Sequence, residues 1–90
     1  MEFQQEQGRI FALDQSGALI AEVLFPAADG VADIRRTFVD GSLRGRGVAG
    51  QLLEAAVRQI RADGQKARPT CSYAVKWFEQ HPEASDLLAD

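Results

Sequence analysis

Nine consecutive residues hold most of the chemistry this sequence offers: Ser42-Leu43-Arg44-Gly45-Arg46-Gly47-Val48-Ala49-Gly50. They sit where a helical pattern is about to begin. A helix start leaves its first backbone N–H groups unpaired and carries a partial positive charge, so it attracts phosphate oxygens. Gly45 and Gly47 have no Cβ where a phosphate would approach the main chain. Arg44 and Arg46 add charge and forked donors. The same residues would also make a glycine-rich turn with solvated arginines. A P-loop needs lysine and then Ser or Thr after its last glycine, and Val48-Ala49 fails that pattern. The dinucleotide fingerprint G-x-G-x-x-G is met at Gly45, Gly47 and Gly50, but it also needs an acid about 20 residues on. That region reads Gln65-Lys66-Ala67-Arg68-Pro69-Thr70 and holds none.

The flanking pattern defines the elements that must carry this turn. Arg9–Asp14 and Ala18–Phe25 are short apolar runs joined through Gln15-Ser16-Gly17, which predicts a β-hairpin. Pro26 ends the second run, and Ala27–Gly30 turns the chain again. A third strand is expected from about Val31 to Asp40. It puts Ile34, Arg36 and Phe38 on one face and Asp33, Arg35, Thr37 and Val39 on the other. Neither face is cleanly apolar, so the strand should touch something polar. From Gly47 to Asp63 the period becomes helical, with Ala49, Leu53, Ala56 and Ile60 in one stripe widened by Val48, Leu52 and Val57. Asp63-Gly64 stops that helix. Lys66–Cys71 reads as a fourth strand, partly unpaired because Pro69 has no N–H. Tyr73–Gln80 suits a second helix closed by His81-Pro82, and Glu83–Leu88 a last turn.

The order is β-β-β-α-β-α within one domain, residues 1–90. A helix between the third and fourth strands permits their parallel pairing through a right-handed crossover. The fold class expected is α+β (α/β), a mixed β-sheet with helices packed on it. With 46% hydrophobic and 26% charged residues, the chain is ordinary for a globular domain. A net charge of −3 argues against nucleic acid as a partner. Arg35, Arg36, Arg44 and Arg46 form a local basic cluster that suits one multiply charged small anion. A single cysteine, Cys71, excludes an internal disulfide and any cysteine-rich metal site. The sequence shows no signal pattern and no apolar run of membrane-spanning length. A cytoplasmic protein without membrane association or bound metal is expected.

The segment also fits [QR]-x-x-G-x-[GA] at Arg44, Gly47 and Ala49. Val39-Asp40-Gly41-Ser42-Leu43-Arg44-Gly45-Arg46-Gly47 resembles V-x-P-x-x-[QR]-G-x-G of the GNAT acetyltransferases, with Gly41 in place of proline. Cys71-Ser72-Tyr73-Ala74-Val75-Lys76-Trp77-Phe78, then His81-Pro82-Glu83 and Asp86-Leu87, resembles the tail of the small stand-alone GNAT-like family, the YjdJ-type N-acetyltransferase domain proteins. The resemblance spans roughly Asp33 to Leu88. It implies a truncated GNAT fold and binding of acetyl-CoA or CoA. Amides from Gly45 through Arg46, Gly47, Val48 and Ala49 to Gly50 would hold the pyrophosphate, and backbone at Phe38 and Val39 would pair with pantetheine. It further implies acetyl transfer to a small amine or a lysine side chain. The alternatives are a non-catalytic acyl-CoA-binding module and a pure interaction domain.

Departures from the family bear on the chemistry. Arg36-Thr37 stands where the family commonly has His-Thr. Cys71 stands where the wider superfamily usually has asparagine. Phe78 stands where it has the tyrosine thought to protonate the leaving thiolate. Two residues are candidates in their place. Cys71, near the expected thioester, would serve as a nucleophile; otherwise it is a small buried apolar residue. Tyr73 would share its side of a continuing strand and serve as the acid; otherwise it is a core aromatic. Asp33 and Glu22 are candidate bases, with solvated carboxylates the commoner role for such residues. His81 reads as a helix cap, and Trp77 and Phe78 as core.

Overall fold

A computed structural model describes the whole chain, Met1–Asp90. Strands β2 (Arg9–Leu13) and β3 (Leu19–Leu24) form the expected antiparallel hairpin. Its turn is built by Asp14, whose carboxylate accepts from the Ser16 and Ala18 amides at 2.8 and 3.0 Å. Alternation sends Ile10, Ala12, Ala21 and Val23 into the core, while Arg9, Phe11 and Glu22 take the opposite face. A strand not expected from the sequence, β1 (Gln4–Glu6), pairs with β2 at the sheet edge. All three of its residues are exposed, so no apolar alternation marks it.

The third predicted strand is divided. β4 (Ala27–Ala28) and β5 (Val31–Ile34) enclose Asp29 and Gly30, both at positive φ (54° and 79°), as a type I′ hairpin turn requires. β6 (Arg36–Val39) then pairs with β3. The break has a cause just beyond the end of β3. Pro26 has no N–H to continue the ladder, and the chain crosses the gap through Asp33 N–H to Pro26 O (2.8 Å) and Arg35 N–H to Leu24 O (3.0 Å). Two sheets result in place of one: β1-β2-β3-β6, all antiparallel, and β4-β5-β7, with β5 and β7 (Lys66–Pro69) parallel. The parallel pairing stops at Ile34 opposite Pro69, where the Ile34 carbonyl accepts from both Thr70 and Cys71. Beyond that point β6 stays with β3 and the chain after β7 leaves, so the two courses splay apart.

Helix α1 (Val48–Ala62) buries Val48, Leu52, Leu53, Ala56, Val57 and Ile60 against β2, β3, β6 and β7. Burying the valine, leucine and isoleucine side chains among these is worth about 1.5–3 kcal/mol each. The helix ends as predicted at Gly64 (φ 71°), with Gly64 N–H to Arg61 O and Gln65 N–H to Ile60 O closing a Schellman motif. Helix α2 (Ser72–Gln80) packs Ala74, Trp77 and Phe78 into the same core. The His81 ring stacks on Trp77 at 4.0 Å, and Nδ1 donates to the Trp77 carbonyl at 2.7 Å, so this histidine does cap the helix. A 3-10 turn, Pro82–Leu87, follows. No helix is long and apolar enough to cross a membrane.

Candidate phosphate-binding cleft

The splay opens into a cleft of about 330 Å³ lined by Thr37, Val39, Leu43, Arg44, Gly45, Gly47, Val48, Ala49, Gly50 and Tyr73. Its floor is the outer edge of β6. Asp40 N–H donates to Ile20 O, which fixes the ladder: Glu22–Phe38 is then a hydrogen-bonded pair, and Val39 and Thr37 are not. Backbone groups of Thr37 and Val39 therefore face the splay, while those of Phe38 are spent on β3.

One end of the cleft is the loop into α1. Asp40 starts it by capping a 3-10 turn, Gly41–Leu43, and accepts from the Ser42 amide (3.0 Å) and hydroxyl (2.6 Å). Those two bonds, the hydroxyl first, hold the Asp40 carboxyl below its ordinary range. The chain then turns through Gly45 (φ 81°) and Gly47 (φ 72°), which side-chain-bearing residues adopt only under strain. Gly47 is the α1 N-cap and offers no side chain to the helix start. Amides from Gly45 to Gly50 donate to no group within the protein. A Cβ built on Gly45 or Gly47 would point into open space. The result is a run of free N–H donors with Arg44 beside it.

The structure gathers most, but not all, of the residues singled out from the sequence. Val39, Arg44, Gly45, Gly47, Val48, Ala49, Gly50 and Tyr73 line the cleft. Arg46 is exposed outside it, and Phe38 lies on the far face of β6 with the Arg36 guanidinium 5.7 Å from its ring. Cys71 does not sit on a strand. It is the α2 N-cap, its Sγ accepting from the Ala74 amide at 3.3 Å and lying 3.5 Å from Thr37 Oγ1. Tyr73 therefore does not share a strand side with Cys71. It reaches across from the first turn of α2 toward α1, where a Cβ on Gly50 would meet its hydroxyl at 3.8 Å. Burial pushes the Tyr73 phenol up.

Neither candidate base points into the cleft. Glu22 is buried, not solvated, and its carboxylate is held by Arg9 at 2.7 Å and faces Arg36 at 3.5 Å. Asp33 accepts from the Thr70 hydroxyl. Thr37 and Leu43 line the cleft without having been singled out. For Thr37 the signal was present, since it shares a strand face with Val39.

Gly50 lies inside α1 at an ordinary helical φ. Alanine there should stabilise the fold by about 0.5–1 kcal/mol through helix propensity, because its methyl meets only an ordinary contact. Urea unfolding of Gly50→Ala beside the parent protein measures this.

The family model for GCN5-related N-acetyl-transferases matches residues 9–87. Among solved structures, a GCN5-like protein from Staphylococcus aureus is similar at 27% identity and a TM-score of 0.80, over 98% of this chain and 87% of its own. An acetyltransferase from Bacillus cereus superposes with a TM-score of 0.68 at 20% identity, covering 84% of this chain and 56% of its own. The GNAT-family N-acetyltransferase YhbS from Escherichia coli, solved in complex with CoA, gives a TM-score of 0.63 at 21% identity, over 76% of this chain. This chain spans only 42% of that relative's length. No curated protein matches the sequence. With most of its length under one family model, the chain belongs to the GCN5-related N-acetyl-transferase family.

Proposed function

We propose that the cleft binds acetyl-CoA and that the protein transfers its acetyl group to a primary amine, on a small molecule or a lysine side chain. The observation that carries this reading is the run of unpartnered amides from Gly45 to Gly50, opening onto the free edge of β6. Such a run suits a pyrophosphate, and the edge suits an amide-bearing arm laid alongside it like another strand. Arg44 supplies charge to the phosphates. Thr37 and Val39 pair with the arm, in place of Phe38 and Val39. The relative solved with CoA supports the choice of ligand class. Acetyl-CoA brings an activated thioester; the chain supplies position and a proton.

In the transfer, the amine nitrogen bonds to the thioester carbon, the C–S bond breaks, and the amine's proton ends on the departing sulfur. The Tyr73 hydroxyl at the cleft wall relays it: the phenol protonates the sulfur, and the proton lost by the amine restores the phenol. A phenol is protonated at neutral pH, and burial pushes Tyr73 further in that direction. It takes over what Phe78, buried in the core beside Trp77, has no hydroxyl to do. Cys71 fixes the start of α2 and contacts Thr37, and so positions the cleft. The free thiol of Cys71 fits a reducing cytoplasm.

Neither Asp33 nor Glu22 is free to act as a base toward the cleft, and this favours a second reading, a module that binds acyl-CoA without turning it over. Thermal unfolding with ligand tests the common part. Acetyl-CoA at 100 times its dissociation constant should stabilise the fold by about 2.7 kcal/mol, and NAD should not. A shift with NAD alone would refute both readings. Thiol release with a panel of amines separates the transferase from the binding module.

A further inference from the structure

The far face of the antiparallel sheet bears no helix, because α1 covers the side of β2, β3 and β6 that carries Ile10, Ala12, Ala21 and Val23. On this open face stand Arg9, Phe11, Glu22, Arg36 and Phe38, with Glu6 at its margin. Most of them are already occupied. Arg9 lies over the Phe11 ring at 3.7 Å, donates to Glu22 at 2.7 Å, and reaches Glu6 at 3.3 Å. Glu22 thus has its charge answered by Arg9. Arg36 is different. Its side chain is 56% exposed, its Nε is 3.5 Å from Glu22, and its two terminal nitrogens have no partner in the protein. It stands next to Thr37, which lines the cleft and touches Cys71 Sγ. Phe38, on the other side of Thr37, presents its ring to the same open face.

On the α1 side, the first turn of that helix and Tyr73 wall the cleft. Arg36 and Phe38 line none of the cleft themselves; they stand on the other face of β6, the side an acceptor meets when it comes to the free edge from opposite α1. We propose that Arg36 is a specificity-determining residue that selects an acceptor amine accompanied by a carboxylate, with the acceptor's apolar stem lying on Phe38. This rests on the acetyl-transfer reading above. A guanidinium with two free nitrogens matches a carboxylate in a forked geometry. The protein's net charge of −3 would by itself favour the more cationic amine that lacks the carboxylate, so a preference for the carboxylate points to a local cause.

Lysine and cadaverine form the test pair, differing only in the carboxylate, with peptides carrying Glu or Gln beside a lysine as a second pair. At saturating acetyl-CoA, kcat/KM should favour the carboxylate-bearing member by roughly tenfold or more, the scale of a charged hydrogen bond. Arg36→Gln should bring that ratio to about one, and Arg36→Lys should restore part of it. Glu22 keeps Arg9 in both variants, and equal unfolding midpoints would confirm intact folds. Preference for lysine but not for the Glu peptide assigns the site to free amino acids; the reverse assigns it to peptides. Equal rates within both pairs, or a preference that survives Arg36→Gln, would overturn the proposal and leave acetyl transfer standing. Acetyl-CoA binding with no amine acetylated would overturn both.

Discussion

Gly47→Val should lower affinity for CoA by at least about a hundredfold while leaving the protein folded. The residue sits at φ 72° as the N-cap of α1, and a Cβ there would meet nothing within 4 Å. Valine's methyls would therefore stand in the space a pyrophosphate must enter to reach the amides. A hundredfold loss is about 2.8 kcal/mol, a fair share of what several amide–phosphate bonds contribute. The backbone strain of a β-branched residue at positive φ costs about 1–3 kcal/mol, against a domain stability of about 5–15 kcal/mol. Gly17→Val is the matched control. It has φ 87°, equally open surroundings and a place in the β2–β3 turn, outside the cleft. It should lose comparable stability and no affinity. Calorimetric titration and urea unfolding of both variants separate the effects, and normal CoA affinity in folded Gly47→Val would move the pyrophosphate elsewhere. Of the two arginines, Arg44→Ala should weaken binding more than Arg46→Ala, because only Arg44 lines the cleft.

The second large effect is on turnover. Tyr73→Phe removes only a hydroxyl and should lower kcat by about 10²–10⁴-fold, the range for general acid help, with CoA affinity nearly unchanged. An interaction made only in the transition state behaves this way. Cys71→Ser should retain most of the activity, since serine is a better N-cap than cysteine and keeps an acceptor for the Ala74 amide. Cys71→Ala should lose about 1 kcal/mol of stability with the cap. The opposite result, a dead Cys71→Ser and a normal Tyr73→Phe, would favour an acyl-cysteine route. Full turnover in both would leave attack assisted by backbone and water alone. Thiol release and intact mass report all three outcomes.

The parts of this fold legible in the sequence are those where burial and local chemistry agree. The α1 stripe, its Gly64 stop and the β2–β3 hairpin are such cases, and so is the resemblance that runs through Arg44, Gly47 and the Cys71–Leu87 tail. What escaped was decided by partners. β1 is wholly exposed and exists only because β2 offers it an edge. The break at Arg35 is caused by Pro26, which lies between β3 and β4. Cys71 and Tyr73, two apart, were expected on one strand side, but the pairing stops at Pro69 and α2 begins at Ser72. Glu22 reads as a solvated strand carboxylate until Arg9, thirteen residues away, covers it. Phe38 and Thr37 exchange roles at the cleft edge because the register with β3, invisible locally, decides which backbone groups are free.

A titration of isotope-labelled protein with CoA, followed through backbone amide resonances, tests the central claim most directly. A domain of 9.8 kDa is well suited to it. The largest shifts are expected at the amides from Gly45 to Gly50, with a second set at Thr37 and Val39 and little change at Phe38, whose N–H is committed to β3. Shifts gathered on another surface, or saturating CoA that leaves the Gly45–Gly50 amides unmoved, would contradict the account.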